Sequence, residues 1–259
     1  MVELHWGHFD WRPIVLPLKL SPESIHIVRV PLDLADEMWK PLRRHLTSDE
    51  LVRADRFRFE DPRQRFTTCR ATLRQLLGSC VGLPPVAVPL EYGKHGKPQL
   101  DRAKLEPSTP AIEFSVSHSG DFGLIAITLG VDIGVDVEQF NSSVNILKLA
   151  ERFFAPSEAE ELRNLAVEKQ LAGFYRGWTC KEAYIKATGK GLAQSLSSFC
   201  VTIDTKQPAA LKHVDHLPNE PQRWTVMSLD VATNYAAAVM SARPNCRIEC
   251  WHWLNLVTD

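Results

Sequence analysis

Asp136 and Glu138 stand two residues apart in the run Val131–Glu138, where Val131, Ile133, Val135 and Val137 alternate with Asp132, Gly134, Asp136 and Glu138. On a strand these two carboxylates share one face, about 7 Å apart. Like charges held that close repel, and a hard cation such as Mg²⁺ relieves the repulsion by taking oxygen ligands from both. Gly134 leaves the same face bare just before them, which would admit a bulky ligand close to the backbone. By itself such a strand is ordinarily a solvated sheet face. A second group downstream adds weight: Trp178, Lys181, Glu182 and Ile185 fall on one broad face of a predicted helix, with Lys186 four residues beyond Glu182. That pair alone would be an ordinary surface ion pair. A third group precedes both, where Ser117-His118-Ser119-Gly120 predicts a polar turn offering hydroxyl, imidazole and backbone N–H groups to an anion.

The elements that must position these groups are readable from periodicity and punctuation. Strands are predicted at Ile25–Val30, at 112–116 and at Phe122–Leu129, the last two flanking the polar turn. Thr47 caps a helix whose capping box Glu50 closes, and Leu46 can pack on Leu51. Asp61-Pro62 opens another helix that runs through Phe66, Cys69, Leu73, Leu76 and Leu77 to a stop at Gly78. Arg53, Arg56, Arg63, Arg65, Arg70 and Arg74 line the polar, solvent-facing side of these two helices. Further on, 146–154 reads as helix, and Ser157 caps the next helix with Glu160 three residues later. A short break is predicted at Gly173 before the helix of Trp178, which stops at Gly189 and gives way to the basic loop Gly189-Lys190-Gly191. A strand over Phe199, Val201 and Ile203, a polar loop over 205–223 and a hairpin of 224–229 with 235–240 complete an α/β (α+β) chain.

These residues resemble the 4'-phosphopantetheinyl transferase superfamily, in its longer single-chain Sfp-type form. The family's strand motif, near (I/V)G(I/V)D(V/I)E, is matched by Ile133-Gly134-Val135-Asp136-Val137-Glu138, and its helical motif, roughly (W/F)(S/T/C)xKE(A/S)xxK, by Trp178 through Lys186. Ser117-His118-Ser119 resembles the family's SHS block, and Arg152-Phe153-Phe154 with Glu158 its RFF...E block. Order and spacing agree from about Leu46 to Met240.

The resemblance implies two similar α/β subdomains in a pseudo-twofold arrangement, residues 1–130 and 131–259, with the active site between them. It implies transfer of the 4'-phosphopantetheine group of coenzyme A to a serine of an apo acyl or peptidyl carrier protein, releasing adenosine 3',5'-bisphosphate. Asp136, Glu138 and Glu182 would hold Mg²⁺, or Mn²⁺ in its stead. Lys186 and Lys181 would place positive charge on the diphosphate, Ser117 and His118 would donate to phosphate oxygens, and Glu182 would take the serine proton, directly or through a metal-bound water. Arg53 and Arg65, with Arg56 and Arg70 as weaker matches, would hold the 3'-phosphate and diphosphate. In Tyr92-Gly93-Lys94-His95-Gly96-Lys97-Pro98, which resembles the family's YGKP stretch with two extra residues, Lys97 before the proline is favoured over Lys94 for the nucleotide end. A stretch near Phe140–Phe154 would dock the carrier. A metal-dependent phosphohydrolase and a noncatalytic carrier-binding module remain as alternatives.

Composition narrows the classes without choosing among them. A chain of 259 residues with 30 Lys+Arg against 31 Asp+Glu, formal net charge -1, makes no whole-chain case for a nucleic-acid partner. Six cysteines without metal-ligand spacing read as thiols of a reducing compartment, Cys69 and Cys180 buried in helices. No signal peptide is read at the start and no run of about 18 apolar residues occurs, so a soluble, cytoplasmic monomer without membrane association is expected.

Overall fold

The computed structural model describes residues 9–244 and 246–254. The first eight residues, part of the start where no signal peptide is read, lie outside the described residues. The chain divides into two compact α/β units, one built on Trp11–Tyr92, Pro98–Gly130 and the tail from Arg247, the other on Val131–Cys246 with the turn Gly93–Lys97.

The first unit runs through β1 (Arg12–Pro13), β2 (Ser24–Pro31), α1 (Asp36–Trp39), α2 (Ser48–Asp55), α3 (Glu60–Val81), β3 (Leu90–Tyr92), β4 (Pro98–Leu100), β5 (Ile112–Ser119) and β6 (Phe122–Leu129). The capping box of α2 is formed: Glu50 N–H donates to Thr47 Oγ1 at 3.4 Å, and Thr47 N–H donates to Glu50 Oε2 at 3.0 Å. In α3 the apolar residues Cys69, Leu73, Leu76 and Leu77 recur at helical spacing and pack on Val28, Val30, Phe114, Ile125 and Ile127 of the sheet. The helix does not stop at Gly78, as its sequence predicts, but continues to Val81 and ends at the left-handed Gly82 (φ 72°). Gly78 serves a different need, because a Cβ there would lie 2.6 Å from the carbonyl oxygen of Leu83 as the chain folds back.

The second unit holds β7 (Ile133–Gln139), α4 (Ile146–Phe153), α5 (Pro156–Asn164), α6 (Val167–Thr188), β8 (Phe199–Val201), β9 (Leu211–Val214), β10 (Thr225–Ser228) and β11 (Tyr235–Ser241). Strands β10, β11 and β7 form an antiparallel sheet in that order, and β8 pairs with β9. Three expectations are corrected. The start of α5 lies before Ser157: Pro156 occupies the first turn and Glu158, not Glu160, reaches back to accept the Ala155 N–H at 2.9 Å. No break occurs at Gly173; α6 is one helix of 22 residues, and the missing side chain admits Leu165, whose Cδ1 would stand 2.8 Å from a Cβ at that position. Within the supposed loop 205–223, Leu211 and Val214 are buried apolar residues of β9.

The final strand, β12 (Arg247–His252), pairs in parallel with β2 and completes a five-stranded mixed sheet of order β1-β12-β2-β6-β5. The tail from Arg247, expected with the second subdomain, thus joins the first sheet. Among the described residues no helix is long and apolar enough to cross a membrane.

Candidate active site

In the second unit, β7 carries Asp136 and α6 carries Glu182 and Lys186, and Gly134 sets how closely these elements approach. A Cβ on Gly134 would lie 1.9 Å from the carbonyl oxygen of Ala183 and 2.5 Å from the amide nitrogen of Ala187. The bare face of the strand is therefore not open to a ligand, contrary to the expectation from sequence. The backbone of α6 fills it, and 133–137 are buried on both faces. That contact brings Lys186 Nζ to 2.7 Å from Asp136 Oδ1. Asp136 is buried and Lys186 half-buried, so their attraction is screened less than that of a surface pair.

Glu182 lies one helical turn before Lys186. Burial pushes its carboxyl pKa up, the negative charge of Asp136 pushes it further, and Lys186 offsets part of the rise. Glu138 follows Asp136 on the same face of β7 and is half-buried. Trp178 stands one turn earlier on α6, in a ring cluster with Phe153, Phe154 and Phe174 at centroid distances of 5.8, 6.4 and 5.8 Å.

Lys181 departs most from expectation. It was expected beside the diphosphate or on the rim of the cleft, but its side chain has no exposure. Its ammonium donates to Glu158 Oε2 at 2.7 Å, to the Leu196 carbonyl at 2.8 Å and to the Phe199 carbonyl at 2.5 Å. The rings of Phe154 and Phe199 flank it. Burial lowers its pKa, and Glu158 opposes that shift. The helix face that seemed open in the sequence is packed, because α5 and β8 lie against it.

The arginines belong to the first unit and are not equivalent. A cavity of about 170 Å³ opens where the α3–sheet core ends, lined by Arg53, Arg70, His118 and Val116 over a floor of Phe66, Cys69 and Leu73. The guanidinium carbons of Arg53 and Arg70 lie 5.0 and 5.9 Å from the Phe66 ring centroid. Arg70 is itself held by Glu50, with Nε 3.6 Å from Oε1, and by the Tyr92 hydroxyl at 3.1 Å; with Arg53 and the His118 imidazole it borders a small space that suits a phosphate group. Arg65 instead pairs with Asp121 at 3.2 Å, and Arg56 is exposed at the C-cap of α2. Arg74, expected toward solvent, is buried, with Nε 2.6 Å from Glu50 Oε2 and its guanidinium also on the Pro85 and Val88 carbonyls. The only sequence sign of this was the apolar spacing around it.

Ser117-His118-Ser119 is strand rather than turn. It continues β5, whose register pairs Ser117 with Leu124, His118 with Gly123 and Ser119 with Phe122, and the reversal is confined to Gly120-Asp121. Neighbouring strand residues face opposite ways, so Ser117 and His118 cannot both present side chains to one phosphate; His118 lines the arginine cavity and Ser117 is buried. Lys97 donates to the Ile133 carbonyl at the head of β7 at 2.9 Å, whereas Lys94 is exposed.

Among the described residues no three His, Cys, Asp or Glu side chains gather into a ready metal-holding group. The donor chemistry nonetheless suits a hard divalent cation. Asp136 and Glu182 are oxygen donors close enough for one charge to raise the other's pKa, and Glu138 lies two residues along the same face.

Comparison with known proteins identifies the family. Residues 132–240 match the family described as the 4'-phosphopantetheinyl transferase superfamily, and residues 34–129 match 4'-phosphopantetheinyl transferase, N-terminal. The chain is 36% identical to the 4'-phosphopantetheinyl transferase HetI of Nostoc sp., over 94% of this chain and 98% of that protein. It is 32% identical to the 4'-phosphopantetheinyl transferase psf-1 of Bacillus pumilus over 83% of this chain and 87% of that protein. To the 4'-phosphopantetheinyl transferase Sfp of Bacillus subtilis it is 30% identical, over 59% of this chain and 62% of that protein.

Proposed function

The chain belongs to the 4'-phosphopantetheinyl transferase superfamily and transfers the phosphopantetheine of coenzyme A to a carrier protein, and we propose that Asp136, Glu138, Glu182 and Lys186 are the residues that do so, with Mg²⁺ as the metal. The observation that carries this assignment is the junction of β7 and α6, where Lys186 lies on Asp136 and Glu182 has a raised pKa. In the metal-free site a carboxylate tuned upward in this way is a better proton acceptor than a solvated one, and a bound divalent cation would offset part of that rise.

In the proposed reaction, Glu182 accepts the proton of the carrier serine as its oxygen attacks the phosphorus next to pantetheine. A new P–O bond forms, the P–O bond to the nucleotide breaks, and adenosine 3',5'-bisphosphate leaves with the electron pair. Lys186 supplies positive charge that strengthens its hold as charge develops on the leaving phosphate. Asp136 keeps that ammonium in place. A magnesium ion held by Asp136, Glu138 and Glu182 would neutralise the diphosphate as the bond lengthens.

The nucleotide end, which does not react, is assigned to Arg53, Arg70 and His118, whose cavity suits a phosphate. Free cysteines fit a reducing compartment, and the proposal includes a cytoplasmic, monomeric enzyme, its state checked by sedimentation. The experiment is incubation of the purified protein with coenzyme A and a panel of apo carriers, with and without Mg²⁺, read by intact mass. One phosphopantetheine added to a carrier serine, only with Mg²⁺ present, is expected. Breakdown of coenzyme A without any carrier would point to a phosphohydrolase instead.

A further inference from the structure

Glu158 and Lys181 lie outside the reacting group, yet both are spent on ties between elements. Lys181 has three donors and three acceptors at 2.5 to 2.8 Å, so no N–H is left for a diphosphate. Glu158 is equally occupied: besides Lys181, Oε2 accepts the Ala155 N–H at 2.9 Å and Oε1 accepts the Val201 N–H at 2.7 Å. One ion pair thereby ties α6 to the start of α5, to the segment 196–199 and to β8.

We propose that the Glu158–Lys181 pair is a positioning device for the reaction, fixing the rotation of α6 about its axis and so the direction of Glu182 and Lys186, while touching no substrate. The inference rests on the transferase reading above. On a helix Glu182 follows Lys181 by about 100° and Lys186 by about 140°, so a lock at 181 sets both. A rotation of only about 10° would move a carboxylate about 6 Å from the axis by about 1 Å, a displacement that can cost about a hundredfold in rate. Apolar packing is non-directional and tolerates small rotations; an ammonium facing three fixed acceptors does not.

The test uses the full chain carrying Lys181→Met with Glu158→Gln, which removes both buried charges together and avoids leaving one unpaired. Glu158→Asp, which keeps the charge and shortens the reach by one methylene, is the second variant should the first not fold. Thermal unfolding, kcat, KM for coenzyme A, and Mn²⁺ affinity in the coenzyme A complex by electron paramagnetic resonance are measured. For the double variant kcat is expected to fall about thirtyfold, with KM for coenzyme A within about twofold of wild type, the split expected of misplaced reacting groups. Glu158→Asp should lose about fivefold in kcat at an unchanged melting temperature, and Mn²⁺ affinity should weaken about fivefold or more in both. Wild-type kcat and Mn²⁺ affinity in a folded variant would overturn the proposal and leave the pair structural only. So would a tenfold rise in KM for coenzyme A at unchanged kcat, which would make Lys181 a direct ligand. If the wild-type protein modified no carrier, the transferase reading would fall by itself, while the Mn²⁺ titration, which needs neither carrier nor turnover, would still decide the positioning claim.

Discussion

Helices α3 and α6 have the same length, 22 residues, end alike at left-handed glycines (Gly82, φ 72°; Gly189, φ 65°), and each covers a sheet, yet they hold their charged residues in opposite ways. On α3 apolar side chains meet the strands, Arg74 and Arg70 both pair with Glu50, at 2.6 and 3.6 Å, and Arg70 also lines a small cavity. On α6 the backbone meets β7 at Gly134, and Glu182 and Lys186 project from a helix fixed at atomic contact. Long guanidinium side chains over a cavity can follow a phosphate through shifts of about an ångström, since their stems are flexible. Groups that stabilise a developing charge cannot follow it and must be placed beforehand. On the proposed assignment, the difference separates holding a ligand from acting on it.

The largest effect should come from breaking the backbone contact. Gly134→Val forces α6 away from β7, and transfer should fall by at least about a thousandfold with about 3 kcal/mol of stability lost, as overpacking against backbone demands. Gly78→Ala makes a clash of the same kind on α3, 2.6 Å from a carbonyl oxygen, in the unit that does not contain β7 and α6. It should cost about 1–3 kcal/mol in denaturant melts and leave kcat within about twofold. Equal kinetic damage from both would erase the contrast between the helices.

Next in size, Asp136→Ala removes the partner of Lys186 and a proposed metal ligand at once, and kcat should drop about a hundredfold or more, the scale of a lost charge-stabilising contact. Smaller again, Arg70→Ala should raise KM for coenzyme A about tenfold at nearly constant kcat, the loss of about 1.5 kcal/mol of charge-assisted binding. Steady-state kinetics against coenzyme A checks both.

The smallest effect is a pH-dependent one on stability. Folding raises the Glu182 pKa, chiefly by burial and then through Asp136, so the native state favours the protonated form. The favourable contribution is present below the ordinary glutamate range and is lost as pH rises through the raised value. Glu182→Gln, which stays neutral, should therefore melt above wild type at pH 8 in the presence of EDTA, and the margin should shrink as pH falls. A margin that widened toward low pH would mean that Glu182 is stabilised as a carboxylate.

The strands and helices were legible because their periods, caps and stops are local: the Thr47–Glu50 box, the glycine after Thr188 and the 225–241 hairpin needed nothing beyond neighbouring residues. What was not legible depends on long-range approach. Gly134 looked like room for a ligand and is instead the seat of α6, since a missing side chain does not say which backbone will use the space. Lys181 looked like a rim cation because its partners, Glu158 and two carbonyls, lie 15 or more residues away in sequence. Ser117-His118-Ser119 looked like a turn because its polarity was visible and its pairing with β6 was not. Arg53 and Arg65 had equal claims in sequence; only the packing of Phe66 separates the one at the cavity from the one paired with Asp121.

The division of labour is tested most directly by single-turnover transfer at saturating coenzyme A, with enzyme in excess over an apo carrier, comparing wild type with Glu182→Gln and with Arg53→Ala. Saturation removes coenzyme A binding from the observed rate and leaves the chemical step. Arg53→Ala is expected to match wild type within about twofold, while Glu182→Gln is slower by about a hundredfold or more. A Glu182→Gln protein as fast as wild type, or an Arg53→Ala protein as slow as Glu182→Gln under saturation, would contradict the assignment of chemistry to the β7–α6 junction and of holding to the arginine cavity.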